Sequence, residues 1–171
     1  MKKKNKILII CVATTLATFL FWLSSQKAKN DTSLTKNPTP TSSQLKTFQS
    51  TMLDFTVQLP IDYLVEEKFT HIELIKGENS IGGDRNDASG LGNLKGFLMD
   101  FDEKNQIQNI SEIKELKINN YPAVTRVELR GDIYAKFYYI YVDDWVYVFS
   151  TKSDSLYTDL DQIVQSFRYT P

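Results

Sequence analysis

The residues able to do chemistry in this chain are few, and their spacing limits what they can do. His71 is the single histidine, so a paired-histidine metal site is ruled out by counting. Counting leaves a Ser-His-Asp triad around His71 open, but no G-x-S-x-G elbow accompanies it. His71 instead falls in an apparent strand between Thr70 and Ile72, where a half-buried structural role is expected. Asp143-Asp144 offers two carboxylates, yet adjacent residues point apart, and the pair lies at a hairpin tip, where turn chemistry explains it. Asp84, Asn86 and Asp87 supply oxygen ligands in a glycine-rich stretch and are the calcium candidates. They lack EF-hand spacing, because Ala88 falls at the fifth position and no glycine at the sixth. Gly90-x-Gly92-x-x-x-Gly96 has the look of a dinucleotide loop, but it would need a buried strand before it and a helix opening after it. Gly83-Asp-Arg-Asn-Asp-Ala-Ser89 before it and Phe97-Leu-Met99 after it read otherwise, and the motif is set aside. No catalytic constellation, resident cofactor or firm metal site is expected.

Cys11 is the only cysteine and lies inside an apolar run, so residues beyond it have no disulfide, thiolate zinc site or cysteine nucleophile. That run, Ile7 to Leu23, carries no charge and follows the basic cluster Lys2-Lys-Lys-Asn-Lys6. As a helix its residues span about 25 Å, and Ser24-Ser25 extend it toward the thickness of a hydrocarbon core. Residues 7–25 are therefore read as a transmembrane signal anchor, with 1–6 as its basic cytoplasmic N-terminus. Trp22 suits the distal headgroup layer, and the lysine excess before the helix predicts N-terminus inside and C-terminal domain outside. A cleaved signal peptide has the same order of parts, and secretion after cleavage is the alternative; the best cut, after Ser25, puts Leu23 where a small residue is wanted. Residues 26–46, rich in Ser, Thr, Asn, Lys and Pro, cannot bury enough apolar surface to order themselves and read as a polar tether.

Charge divides at the tether. Residues 1–46 hold eight Lys against Asp31, about +7, whereas 47–171 hold twelve Lys/Arg against twenty Asp/Glu, about -8. A domain that acidic repels phosphate backbones, so nucleic acid is not its partner. Nine Tyr, ten Phe and two Trp, mostly beyond residue 47, give it ample core material.

The elements that must position any site begin with Phe55, Val57 and Leu59, alternating into Pro60 as a strand. Ile61–Val65 reads as a turn into a second extended piece, and Thr70–Lys76 as another strand. Residues 77–96 hold six of the seven glycines and read as a mobile loop. Gly96–Phe101 is expected to return to a strand, and Ile107–Ile113 to carry a helical turn. Glu115–Ile118 runs into a turn at Asn119-Asn120, then Ala123–Arg130 alternates, Thr125, Val127 and Leu129 opposing Arg126, Glu128 and Arg130. Phe137–Val142 and Trp145–Ser150 form a hairpin across Asp143-Asp144, pairing Val142 with Trp145, Ile140 with Tyr147 and Tyr138 with Phe149. Both hairpin faces are apolar, so the sheet should be covered on both sides. Thr158-Asp-Leu-Asp161 reads as a capping box opening a helix whose apolar stripe is Leu160, Ile163, Val164 and Phe167.

Phe55-Thr-Val-Gln-Leu-Pro60 with Tyr63, the late aromatic hairpin, and a closing helix with Ser166-Phe167 resemble the PsbP-like (Mog1/PsbP) superfamily. The resemblance covers most of residues 48–169. It implies an α+β fold, an antiparallel β-sheet between helices as an α-β-α sandwich, for the soluble domain 47–171. It also implies an accessory or binding role, since members include extrinsic photosystem subunits and a nuclear-transport regulator, not enzymes. The expected function is thus an outward-facing, membrane-anchored binding domain whose partner is another envelope or surface protein. A small-ligand or calcium sensor using loop 77–96 is the alternative, and a surface hydrolase built on His71 a further one.

Overall fold

The computed structural model describes residues 44–171. The expected anchor and all but the end of the tether lie outside them, and among the described residues no helix is long and apolar enough to cross a membrane. Ten strands and two helices follow in order: β1 (Leu45–Ser50), β2 (Phe55–Pro60), β3 (Leu64–Lys68), β4 (His71–Lys76), β5 (Asn79–Asp87), α1 (Leu94–Lys104), β6 (Ile110–Ile118), β7 (Tyr121–Arg130), β8 (Ile133–Val142), β9 (Trp145–Thr151), α2 (Tyr157–Gln165) and β10 (Arg168–Tyr169). Seven strands form one antiparallel sheet in the order β3-β4-β5-β9-β8-β7-β6, and β1-β2-β10 form a second, smaller one.

Strand alternation puts a different core on each face of the large sheet. On one face Ile72, Leu74, Ile81, Tyr138, Ile140, Tyr147 and Phe149 meet β2 and the α2 stripe Leu160, Ile163, Val164. Phe167 is the hub of that core: its ring lies 5.0 Å from Tyr147, 5.6 Å from Phe55 and 6.0 Å from Phe149. Ser166 fastens the same corner, its hydroxyl accepting from the Gln58 amide at 2.7 Å. On the other face Val124, Tyr139, Val146 and Val148 pack under Leu94 and Phe97 of α1. A helix therefore covers each side of the sheet, as the two-faced hairpin required. The pairings Val142–Trp145, Ile140–Tyr147 and Tyr138–Phe149 are all present. Asn119, Asn120, Asp143 and Asp144 all take positive φ at their two-residue turns.

Five expectations need correction. The stretch 77–96 is not one loop: residues 79–87 are β5, central enough to pair with both β4 and β9. Gly83 and Gly96 serve close approach. A Cβ on Gly83 would stand 2.7 Å from Ile72 Cγ1 and 3.1 Å from Phe149, and one on Gly96 would stand 2.2 Å from the Leu91 carbonyl. Gly96–Phe101 is helix, not strand, capped by Asn93, whose side chain accepts from the Gly96 amide. Residues 107–113 lack a helical turn, and β6 starts at Ile110 with a bulge between Ser111 and Lys114. The capping box is unused: α2 opens at Tyr157 behind a 3₁₀ turn, Asp154–Leu156, without a side-chain cap. Asp159 and Asp161 instead accept from Tyr63 and Tyr138. Finally, the tether ends before residue 46, because Leu45 and Lys46 already pair with Pro60 and Leu59.

The Gly83 environment yields a direct test. Gly83→Ala forces a methyl between Ile72 and Phe149 and should lower stability by about 1–3 kcal/mol, as overpacking does. Gly82→Ala, whose Cβ meets the half-exposed His71 at 3.3 Å, should cost less. Urea denaturation of the two variants measures both; equal, negligible losses would mean β5 is not held that tightly.

Candidate functional site

Alternation along β7 sends Arg126 and Glu128 to the face under α1, where both are buried: 4% and 0% exposed. A lone buried carboxylate would be costly, and Glu128 is compensated by hydrogen bonds on one oxygen and by an ion pair alone on the other, Oε2. Arg126 Nε and the Tyr139 hydroxyl donate to Oε1, at 2.7 and 2.5 Å, while Arg130 lies 2.6 Å from Oε2. Arg126 turns its other two nitrogens to Asp102 on α1 as a bidentate pair. The guanidinium groups also lie over aromatic rings, Arg126 at 4.8 Å from Tyr139 and Arg130 at 5.2 Å from Phe137. Burial alone would lower the Arg126 pKa, but Asp102, Tyr139 and Glu128 outweigh it and the net shift is upward. Burial, then the Glu128 charge, raises Tyr139 well above the usual phenol range. The network ties the last turn of α1 to β7.

Beside α1 that tie leaves a groove of about 930 Å³. Leu94 and Leu98 form one wall, Pro122, Val124 and Tyr141 the floor, and Glu115, Lys117 and Ile113 of β6 the far side. Met99 and Ile113 stand 66% and 61% exposed on opposite rims. No Ser, Thr, Cys or His lines it, and Asp102, one of its two carboxylates, is committed to Arg126. Such a surface can bind an apolar partner, and its ionisable groups besides the Arg126–Asp102 pair are Lys95, Lys117, Glu115 and Tyr141. A smaller cavity of about 270 Å³ opens on the opposite face beside the β6 bulge. There Lys136 and Tyr138 both donate to Asp161 Oδ1, at 2.5 and 2.7 Å.

His71 is placed in β4, as expected, with Nδ1 2.8 Å from Asp84 Oδ1. Both side chains are substantially open to solvent, 36% and 47%. Ser150 is on the same sheet face across Gly82, but among the described residues Asp84 is the imidazole's only hydrogen-bond partner. The three calcium candidates are not gathered round a point. Asp84 faces His71, Asn86 follows on the same side of β5, and Asp87 is on the other, held below the usual carboxylate range by the Ser89 hydrogen bonds. Asp143 and Asp144 make the β8–β9 turn, where Asp144 accepts from the Tyr141 hydroxyl. Gly90 and Gly92 do lie between a strand and a helix, contrary to the sequence reading. The start of α1 is nevertheless filled by the Asn93 cap and the Leu91 carbonyl, so it does not offer a phosphate cradle. The residues missed were Arg126, Glu128 and Asp102. The available signal was the neighbouring hairpin: if both its faces are covered, the charged side of β7 must be covered too.

No family model and no curated protein matches the chain. Among solved structures it is similar to cyanobacterial PsbP (CyanoP) from Synechocystis sp. PCC 6803, in solution structure, with a TM-score of 0.52 at 9% identity, over 74% of this chain and 93% of that one. It is also similar to a crystal structure from Bacteroides thetaiotaomicron VPI-5482, with a TM-score of 0.51 at 11% identity, over 74% of this chain and 48% of that one. The described domain has the PsbP-like fold.

The buried phenols make stability sensitive to alkali. Tyr63, Tyr138 and Tyr139 are raised by burial and neighbouring carboxylates, and Tyr147 is pushed up to about 12 by burial. Because the folded pKa values are raised, this contribution is intact below about pH 10 and is lost as pH climbs above it, by up to about 1.4 kcal/mol per pH unit for each tyrosine. The urea midpoint should therefore fall steeply above that pH, and Tyr139→Phe should make the fall shallower by one proton's worth. Tyrosinate absorbance assigned to Tyr139, as the difference between wild type and Tyr139→Phe, appearing near pH 10 in protein that stays folded would contradict it.

Proposed function

We propose that this chain is a membrane-anchored accessory protein whose outward-facing PsbP-like domain binds another envelope or surface protein and performs no catalysis. The observation that carries the reading is the groove beside α1: apolar along its floor, exposed at Met99 and Ile113, and without serine, threonine, cysteine or histidine on its lining. Burying that surface against a partner removes apolar area from water at about 25 cal/mol per Å². The reading also agrees with the anchor-and-tether order of the sequence and with the accessory roles its family resemblance implies. A hydrolase would need His71 to engage a serine in a shielded cleft; it sits on an open strand face, hydrogen-bonded to Asp84 and not to Ser150 across Gly82.

A photo-crosslinking residue placed at Met99 in intact cells tests the proposal. It should give a discrete adduct with one partner protein, absent when the probe replaces exposed Lys152, and external protease should degrade the crosslinked domain. No adduct at Met99, or a domain shielded from protease, would overturn it.

A further inference from the structure

The groove has the character of a vacant helix slot, and we infer that its occupant is a single amphipathic helix of the partner, apolar along one stripe and acidic at one end. This rests on the reading of the groove as a partner site and specifies what enters it.

Layer geometry comes first. The eleven residues of α1 cover the β8–β9 part of their sheet face through Leu94 and Phe97. The β6–β7 part beside them is left with Pro122 and Val124 under the groove. A sheet face is ordinarily covered by helices side by side, and the open strip lies where the next one would run. Backbone chemistry then selects the occupant's conformation. The groove walls are side chains of α1 and of the β6–β7 face, so an extended peptide lying there would leave its own amides and carbonyls unpaired. The free hydrogen-bonding edge of β6 lies at the sheet's border, and the bulge between Ser111 and Lys114 interrupts its register. A helix satisfies its backbone internally and needs only apolar contact.

Charge gives the polarity. Arg126 and Asp102 neutralise each other at the end of the groove under the last turn of α1. Lys95 lies seven residues earlier on α1, roughly 10 Å away at the helical rise. Lys117 is opposite Pro122, four residues along β7 from Arg126, roughly 13 Å at the strand rise. Both lysines thus mark the far end of the groove, and neither forms an ion pair among the described residues. Glu115 is the one uncompensated carboxylate on the lining. With Glu115 set against the two lysines, the lining keeps a net charge of about +1 in a domain of about -8, and its lysine end complements acidic residues at one end of an incoming helix.

Selection from a library of displayed peptides of roughly 15 residues, long enough for four helical turns, against the full chain in detergent tests this. The enriched sequences should repeat apolar residues at i, i+3, i+4 and i+7, with Asp or Glu concentrated at one end. Met99→Lys and Ile113→Lys, both at exposed positions, should each weaken the selected peptides about tenfold or more, a change of roughly 1.4 kcal/mol. Lys95→Glu with Lys117→Glu should turn the preference from acidic to basic. Enrichment of period-two peptides would mean strand addition at β6, and it would overturn the helix inference. So would binders indifferent to the rim substitutions, or no enrichment at all. If the Met99 crosslink forms while selection fails, the partner site stands and the helix falls; if the crosslink is also absent, both fall.

Discussion

A carboxylate with no exposed surface, Glu128, sits among two guanidinium groups and a phenol, and the position of α1 depends on how that charge is held. Taking an ion pair out of water costs several kcal/mol per ion, and mutual attraction offsets this only when the geometry is good and the remaining hydrogen-bonding capacity is used. Here Arg126 spends all three nitrogens, two on Asp102 and one on Glu128. The consequence is positional more than energetic. Apolar contact between Phe97, Phe101 and Tyr139 would allow α1 to slide, whereas a bidentate pair to β7 fixes where its last turn lies. The strip of sheet left bare beside it follows from that placement.

The opposite face is built on another principle. Phe167 closes a cluster of aromatic rings from β2 and β9, and Ser166 hydrogen-bonds the β2 backbone next to it. The last residues of the domain are thus tied to its first strands, so the small sheet and α2 form one layer. Apolar area stabilises that layer without directional constraint. The face bearing α1 has the smaller apolar cluster and most of the buried charge, and it is the face that carries the groove.

Much of this was legible in the sequence. Phe55, Val57 and Leu59 on β2, the β8–β9 hairpin and the Leu160–Phe167 stripe all express a period of two or 3.6 strongly enough to read. Glycine was the main misdirection. Gly90 and Gly92 do use positive φ in a short loop, but Gly83 and Gly96 are where another atom comes too close for a Cβ, and composition does not distinguish these uses. A loop over 77–96 cuts in two the helical spacing of Leu94, Phe97, Leu98 and Phe101 behind the Asn93 cap. The buried network was hidden for another reason. Alternating charges on β7 look like a solvated face until α1 is known to lie on them. His71 and Asp84 were close as a chemist would hope, but exposure is a tertiary property that a strand pattern does not report.

The fold therefore presents one face closed by packing and one kept open by a charge pair that holds α1 to one side. Native-state hydrogen exchange of the α1 amides, in the wild type and in Arg126→Met, probes that dependence most directly. With the pair intact, α1 should be protected almost as well as β8. In the variant, α1 should exchange orders of magnitude faster while β8 and β9 keep their protection. Unchanged protection of α1 in Arg126→Met would show that apolar packing alone sets the helix, and the groove beside it would then owe nothing to the buried charges.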